Sequence, residues 1–181
     1  MAKSAVTTYG DALFQLAVES SACVQMLEEV NELKKILADN PELAKIMKNP
    51  RFSKEEHIDI LAKVFKGKID DNIYSFMELL TVKGRYGYLD EILDYFTIRV
   101  KEYLHIGQAT VTSAIEIDSE MKKRIKDKLL STTDYKEIEI DYKVDPSLIG
   151  GMVIRIKDRI VDNSVKTKLE NITRDLHKMQ I

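Results

Sequence analysis

Three histidines, one cysteine and 30 acidic residues are the side chains from which this chain could build chemistry, and their spacing builds none. His57, His105 and His177 lie far apart and none belongs to an HExxH pattern, so they read as surface or boundary histidines. Cys23 falls inside a helical pattern with no histidine near it in sequence, which suits a structural thiol better than a nucleophile. The carboxylates are so numerous that any pair can be drawn as acid and base, and no pair is informative. A phosphate-binding loop ending in Gly-Lys-Ser or Gly-Lys-Thr is absent, as are GxGxxG and a nucleophile elbow. The expectation is a protein with no catalytic residue, no metal site and no cofactor.

Two segments carry weaker signals for nucleic acid. Gly84-Arg85-Tyr86-Gly87 fits the GXXG loop that clamps RNA backbone in KH domains. Its flanks are helical and lack the strands of that fold, so a helix stop and a turn explain the glycines. Lys122-Lys123-Arg124 with Lys126 and Lys128 makes a basic helix face, either a solvated exterior or a seat for an acidic partner helix. Together these segments define an alternative reading, a small RNA-binding protein. Charge argues against it. Residues 1–105 carry 14 basic against 17 acidic side chains and residues 106–181 carry 14 against 13, so neither half has a strong positive field.

Composition sets further bounds. A chain of 181 residues, 44% hydrophobic and 32% charged, suits one folded domain or two small ones. A single cysteine allows no internal disulfide. The start, MAKSAVTTYGDALF, lacks the apolar run of a secretory signal, and no apolar segment approaches the ~20 residues that cross a bilayer. A cytosolic protein, or a peripheral member of an assembly, is expected.

The elements that must position any site change character near residues 105–108. From Ser4 to Leu104 the apolar period is helical. Tyr9, Leu13, Phe14, Leu16, Ala17 and Val18 form a wide stripe, and Met26, Val30, Leu33 and Leu37 follow at spacings of four, three and four. Asn40-Pro41 reads as a cap and first-turn proline for a short helix with Leu43, Ala44, Ile46 and Met47 inward, closed by Asn49-Pro50. Ser53-Lys54-Glu55-Glu56 is a capping box ahead of Ile58, Leu61, Ala62 and Phe65, with Gly67 as the stop. Asp70 or Asp71 opens a helix through Ile73, Phe76, Met77 and Leu80 that Gly84 ends. A last helix runs from about Tyr86 to Leu104, and Gly107 terminates it. Six helices with short connections predict a bundle.

Beyond it, Ala109, Val111, Ser113, Ile115 and Ile117 alternate as a half-buried strand does. Asp118 or Ser119 caps a helix with Met121, Ile125 and Leu129 on one face. Residues 137–144 alternate strictly, Met152, Ile154 and Ile156 form another strand, and Lys157-Asp158-Arg159 turns it towards Ile160 and Val161. Val165, Leu169, Ile172 and Leu176 share the stripe of a final helix. The fold class is therefore α+β, an N-terminal six-helix bundle (1–105) followed by a small mixed α/β domain (106–181).

Asp145-Pro146-Ser147-Leu148-Ile149-Gly150-Gly151 and Asp162-Asn163-Ser164-Val165 are the most specific pattern in the chain. They resemble the D-x-S-L-x-G-G and D-G-S-V elements of the delta subunit of F-type ATP synthases, the family of the mitochondrial oligomycin-sensitivity-conferring protein. Tyr9 to Ala17 resembles that family's YAxALFxLA helix, and Lys83-Gly84-Arg85 its NGR corner. Three features depart. Asn163 replaces a glycine, which Asn's tolerance of positive φ can accommodate. Gly10 replaces an alanine at a cost of about 1 kcal/mol of helix propensity. Lys166 and Lys168 replace arginines, keeping charge but losing bidentate geometry.

The resemblance implies a non-catalytic stator subunit, one copy per complex, peripheral at the cytoplasmic face of the cell membrane with no membrane insertion and no nucleic acid. Its helical domain would sit on the catalytic head and hold the N-terminal helix of an alpha subunit between its first and fifth helices. Its C-terminal domain would join the b subunits of the peripheral stalk, so that proton-driven rotation is coupled to ATP synthesis. Candidate groove residues are Tyr9, Leu13 and Leu16 on the first helix and Phe76, Leu79, Leu80 and Lys83 on the fifth, at the spacing of helix-in-groove recognition. A bundle buries most of its apolar residues, so at least half of these are expected in the core. Asp145, Ser147, Leu148, Gly150, Gly151, Asp162, Ser164 and Val165 would be architectural.

Overall fold

The computed structural model describes residues 2–49 and 51–179, and the chain divides into two compact units, up to Lys101 and from Glu102. Among the described residues, helices α1 (Ala2–Glu19), α2 (Cys23–Asp39), α3 (Pro41–Met47), α4 (Lys54–Phe65), α5 (Asp71–Val82) and α6 (Leu89–Tyr103) precede any strand. Their apolar positions at three- and four-residue spacing become the core: Val30 and Leu33 of α2, Leu61 and Phe65 of α4, Ile73 and Met77 of α5, Ile92 and Phe96 of α6 are all buried.

Helix ends follow local chemistry. The Glu56 amide donates to Ser53 Oγ (3.2 Å) and the Ser53 amide to Glu56 Oε2 (2.7 Å), the reciprocal pair of a capping box. Hydrogen bonds from the Ser53 amide and then its hydroxyl hold the Glu56 carboxyl below its ordinary pKa. Gly84, at φ +65°, closes α5 as a Schellman motif, with its amide on Thr81 O (3.0 Å) and the Arg85 amide on Leu80 O (2.7 Å).

Several expectations change here. Asn40 does not cap α3 with its side chain. Its Nδ2 donates to Ile36 O (2.8 Å) and closes α2 instead. Ile46 faces outward, and Pro50 lies outside the described residues. Residues Tyr86–Tyr88 form a 3-10 turn, so α6 starts at Leu89. It ends at Tyr103, and the left-handed residue that leads the chain away from it is His105 (φ +56°), not Gly107. His57, read as a surface or boundary histidine, is buried, with Nε2 3.0 Å from Ile46 O.

The second unit holds β1 (Ile106–Ser113), α7 (Ser119–Thr132), β2 (Glu137–Val144), β3 (Met152–Ile156), β4 (Arg159–Asp162) and α8 (Val165–Met179). The sheet order is β2-β1-β3-β4, with β1 and β2 parallel across the α7 crossover and the other pairs antiparallel. Alternation divides its faces. Ala109, Val111 and Ile138 pack on Ile125 and Leu129 of α7, while Gln108, Thr110, Glu139, Asp141 and Arg155 line a hollow on the polar face. Gly107 is a strand residue whose missing side chain makes room for Tyr135, since a Cβ there would meet that ring at 2.5 Å. Ile115 is not in the strand, which ends at Ser113, and it is 77% exposed.

Gly10 also proves structural. A Cβ at Gly10 would lie 2.4 Å from Tyr95 Cδ1, and the Tyr95 hydroxyl donates to Asp11 Oδ1 (3.0 Å). Gly10→Ala should therefore destabilise the protein by about 1–3 kcal/mol through overpacking, despite its gain in helix propensity. Denaturant unfolding checks this, and Tyr95→Leu in the same chain should recover part of the loss. A stabilised Gly10→Ala would refute it.

Candidate functional site

Nothing in the structure gathers the reactive side chains. Among the described residues there is no cluster of three or more His, Cys, Asp or Glu able to hold a metal ion. Cys23 is buried at the start of α2, and burial pushes its thiol pKa up, away from the nucleophilic form. Gly84 to Gly87 is a helix–helix corner with Tyr86 buried, and burial raises the Tyr86 phenol well above its ordinary range. On α7, Lys122 lies 5.2 Å from the Tyr142 ring and Lys126 is 4.0 Å from Glu137, so part of the basic face is used against β2.

Exposed apolar residues are the features left over. On the first unit, the Tyr9 ring meets Phe76 edge to face with centroids 6.5 Å apart, so α1 and α5 touch there. The structure sorts the seven groove candidates. Leu13, Phe76 and Leu80 are core residues, 1%, 7% and 0% exposed, because they point to the side of their helices that the bundle closes over. That corrects their place in a groove. Leu16 and Leu79 are 36% and 44% exposed, Lys83 is exposed and Tyr9 is half-buried. A hollow of about 520 Å³ adjoins Tyr9, lined by Ser4, Ala5, Thr8 and Arg85 as well. Sequence reasoning missed these four. For Ser4, Ala5 and Thr8 the available signal was small size on one side of α1, since small residues leave a helix flank open.

On the second unit, the Asp145–Val165 pattern ties distant chain segments together. Asp145 Oδ1 accepts from the Ser147 amide (2.9 Å), and its carboxyl is held low by hydrogen bonds from Ser147. The backbone then runs past Leu148 to Gly150, whose carbonyl accepts from the Val165 amide (2.9 Å). A Cβ on Gly150 would sit 2.9 Å from Val165 Cγ2. Gly151 needs its freedom twice, for φ +75° and because a Cβ would lie 2.3 Å from Asn163 O. Ser164 is fully buried and caps α8, its Oγ accepting from the Thr167 amide (3.2 Å). Asp162 accepts from the Ser164 amide (2.8 Å) and from Thr167 Oγ1 (2.7 Å), bonds that lower its pKa. Thr167 is a partner that sequence reasoning missed. Asn163 needs no left-handed tolerance. It is not among the positive-φ residues, so its replacement of glycine is harmless for a different reason than expected.

From that anchored first turn, α8 extends with Val165, Leu169, Ile172 and Leu176 at 37%, 49%, 56% and 56% exposure. The stripe read from the sequence is open to solvent. Among the described residues no helix is long and apolar enough to cross a membrane.

Two uncovered apolar surfaces are the features of an interaction protein. Comparison with known proteins gives it a family. Residues 6–176 match the model of the ATP synthase delta (OSCP) subunit. The chain is 44% identical over its full 181 residues to the whole of an ATP synthase subunit delta from Lachnoclostridium phytofermentans. It is 33% identical over 175 residues, 97% of each chain, to one from Prochlorococcus marinus. A chain in the Toxoplasma gondii mitochondrial ATP synthase hexamer shares the fold at a TM-score of 0.69, covering 94% of this chain and 96% of that one at 16% identity. The chain belongs to the ATP synthase delta (OSCP) subunit family. It is a peripheral-stalk component that links F1 to the stator, and a structural subunit rather than a catalytic one.

Two predictions test the α8 anchor. Gly151→Ala should cost about 2 kcal/mol or more, from strain and the Asn163 carbonyl clash, read as loss of stability of the second unit by amide exchange. The Asp162 carboxyl has a lowered folded pKa, so its stabilisation is present above the ordinary value near ~4 and is lost as pH falls through the lower folded value. Exchange of the Ser164 and Thr167 amides should accelerate in that window, and Asp162→Asn should abolish the step. A step that survives Asp162→Asn would assign it elsewhere.

Proposed function

We propose that this chain is a two-sided joint, with a separate partner helix seated on each unit. The helices up to α6 form a six-helix bundle (1–105) whose α1–α5 groove takes the N-terminal helix of an alpha subunit. Tyr9, Leu16, Leu79 and Lys83 remain available for it once Leu13, Phe76 and Leu80 are assigned to the core. The α/β unit (106–181) takes the b subunits of the peripheral stalk through the α8 stripe. One copy serves each complex, held at the cytoplasmic face of the membrane by its partners alone.

The observation that carries this reading is the pairing of well-filled cores with apolar stripes left in water. An open helical stripe of four large residues is a surface awaiting a partner. Burying Leu169, Ile172 and Leu176 against a b helix would contribute several kcal/mol of apolar transfer, about 1.5–3 kcal/mol for each side chain fully covered.

The two seats can be separated by experiment on the full chain. Leu16→Asp with Leu79→Asp should weaken an alpha-subunit N-terminal peptide at least tenfold in calorimetry, leaving b-subunit binding alone. Leu169→Asp with Ile172→Asp should do the reverse. Since all four residues are at least one-third exposed, the midpoints of thermal unfolding should move little. Equal loss of both partners from either pair would sink the two-seat reading.

A further inference from the structure

The α1–α5 groove has a charge polarity that its apolar anchors do not explain. α1 and α5 run antiparallel, because Tyr9 meets Phe76 while Arg85, beyond the C-terminal end of α5, lies beside Ser4 and Thr8. At that end the cations collect. Lys83 is the C-cap of α5, Arg85 lines the hollow, and Lys54 donates Nζ to Val82 O at 2.8 Å. Neither Lys83 nor Arg85 forms an ion pair with an acid among the described residues. Of the acids on the two helices, Glu19 closes α1 and Asp71 opens α5, while Asp11 is turned to Tyr95 and Arg99 and Glu78 stands mid-helix. Ser4 to Glu19 spans 15 residues, about 22 Å along the helix axis. On α1 the middle positions Tyr9, Ala12 and Leu16 are uncharged.

We propose that this groove reads the direction of its partner: it accepts an amphipathic helix with acidic residues at the end over Lys83 and Arg85, running towards Glu19 and Asp71. The inference rests on the groove reading above and adds a directional rule to it. Apolar contact along a stripe is tolerant of reversal, since leucines turned end for end still meet leucines. Charge is not. A helix placed backwards would set its acidic end against Glu19 and Asp71 and leave Lys83 and Arg85 without a partner, which is costly in an interface even where the correct pairs contribute modestly. The α5 macrodipole is negative at that end and cannot take the place of these cations.

A double-mutant cycle on the full chain tests this. The probes are the alpha-subunit N-terminal peptide and the same peptide with its Asp and Glu changed to Gln. The proteins are the native chain and Lys83→Gln with Arg85→Gln, and binding is read by calorimetry at low salt. Removing charge from either partner should weaken binding about fivefold, and removing both should cost no more than removing one. Raising salt should erase the difference. Losses that multiply when both partners are changed would show that these charges do not meet, and the proposal falls. So does an unchanged affinity for the Gln peptide on the native chain, a measurement that leaves the protein untouched and the groove reading intact. A native peptide that does not bind at all overturns the groove reading along with it.

Discussion

The carbonyl of Asn163 occupies the space where any side chain on Gly151 would be. That approach, with the Gly150 carbonyl accepting from the Val165 amide, brings the β3 end of the sheet against the first turn of α8. Ser164 is sealed beneath it, and the Asp162–Ser164–Thr167 bonds satisfy the amides that open the helix. The rest of α8 can then leave its apolar stripe in water without detaching. A helix of 15 residues held by its own packing would have to turn that stripe inward. Held by its end, this one keeps the stripe available.

The helical unit meets the same demand in another way. Its core is filled by residues at the inner side of each helix, and the groove is what lies just off that line on α1 and α5. Leu13 and Tyr9 differ by one helical turn, yet one is sealed and the other half-open. Likewise Phe76 is core and Leu79, three residues on, is exposed. Small residues on one flank of α1, Ser4, Ala5, Thr8 and Ala12, keep the opening. On the opposite flank Gly10 takes the Tyr95 ring, so α1 is closed on one side by an aromatic and open on the other for lack of one.

What could be read from sequence was whatever depends on a few adjacent residues. The Ser53–Glu56 capping box, the Gly84 stop and the strand of residues 137–144 each rest on local patterns, and each stands where those patterns put it. Errors arise where the deciding atom is distant in the chain. Gly10 reads as a propensity cost until Tyr95, 85 residues later, fills its place. Gly107 reads as a helix stop until Tyr135 packs on it. His57 reads as a surface or boundary residue until the Ile46 carbonyl reaches its ring. The groove is the hardest case, because periodicity gives the direction of an apolar stripe and says nothing about what covers it. Leu13 and Leu16 were equal in sequence, and only the packing of the other helices separates them.

A connector under load also benefits from what its side chains do not do. The thiol is buried and held protonated, His57 is engaged by a carbonyl, and the carboxylates with lowered pKa values, Glu56, Asp145 and Asp162, spend their charge on backbone amides at helix and turn starts. Each of those carboxylates is stabilising in its ionised form, so none changes state near neutral pH. Strength at the joint then depends on apolar area and on geometry, neither of which titrates. Charge on exposed helix faces, screened by solvent, adds little grip to an interface and more to the choice of partner, so grip and choice fall to different chemistry.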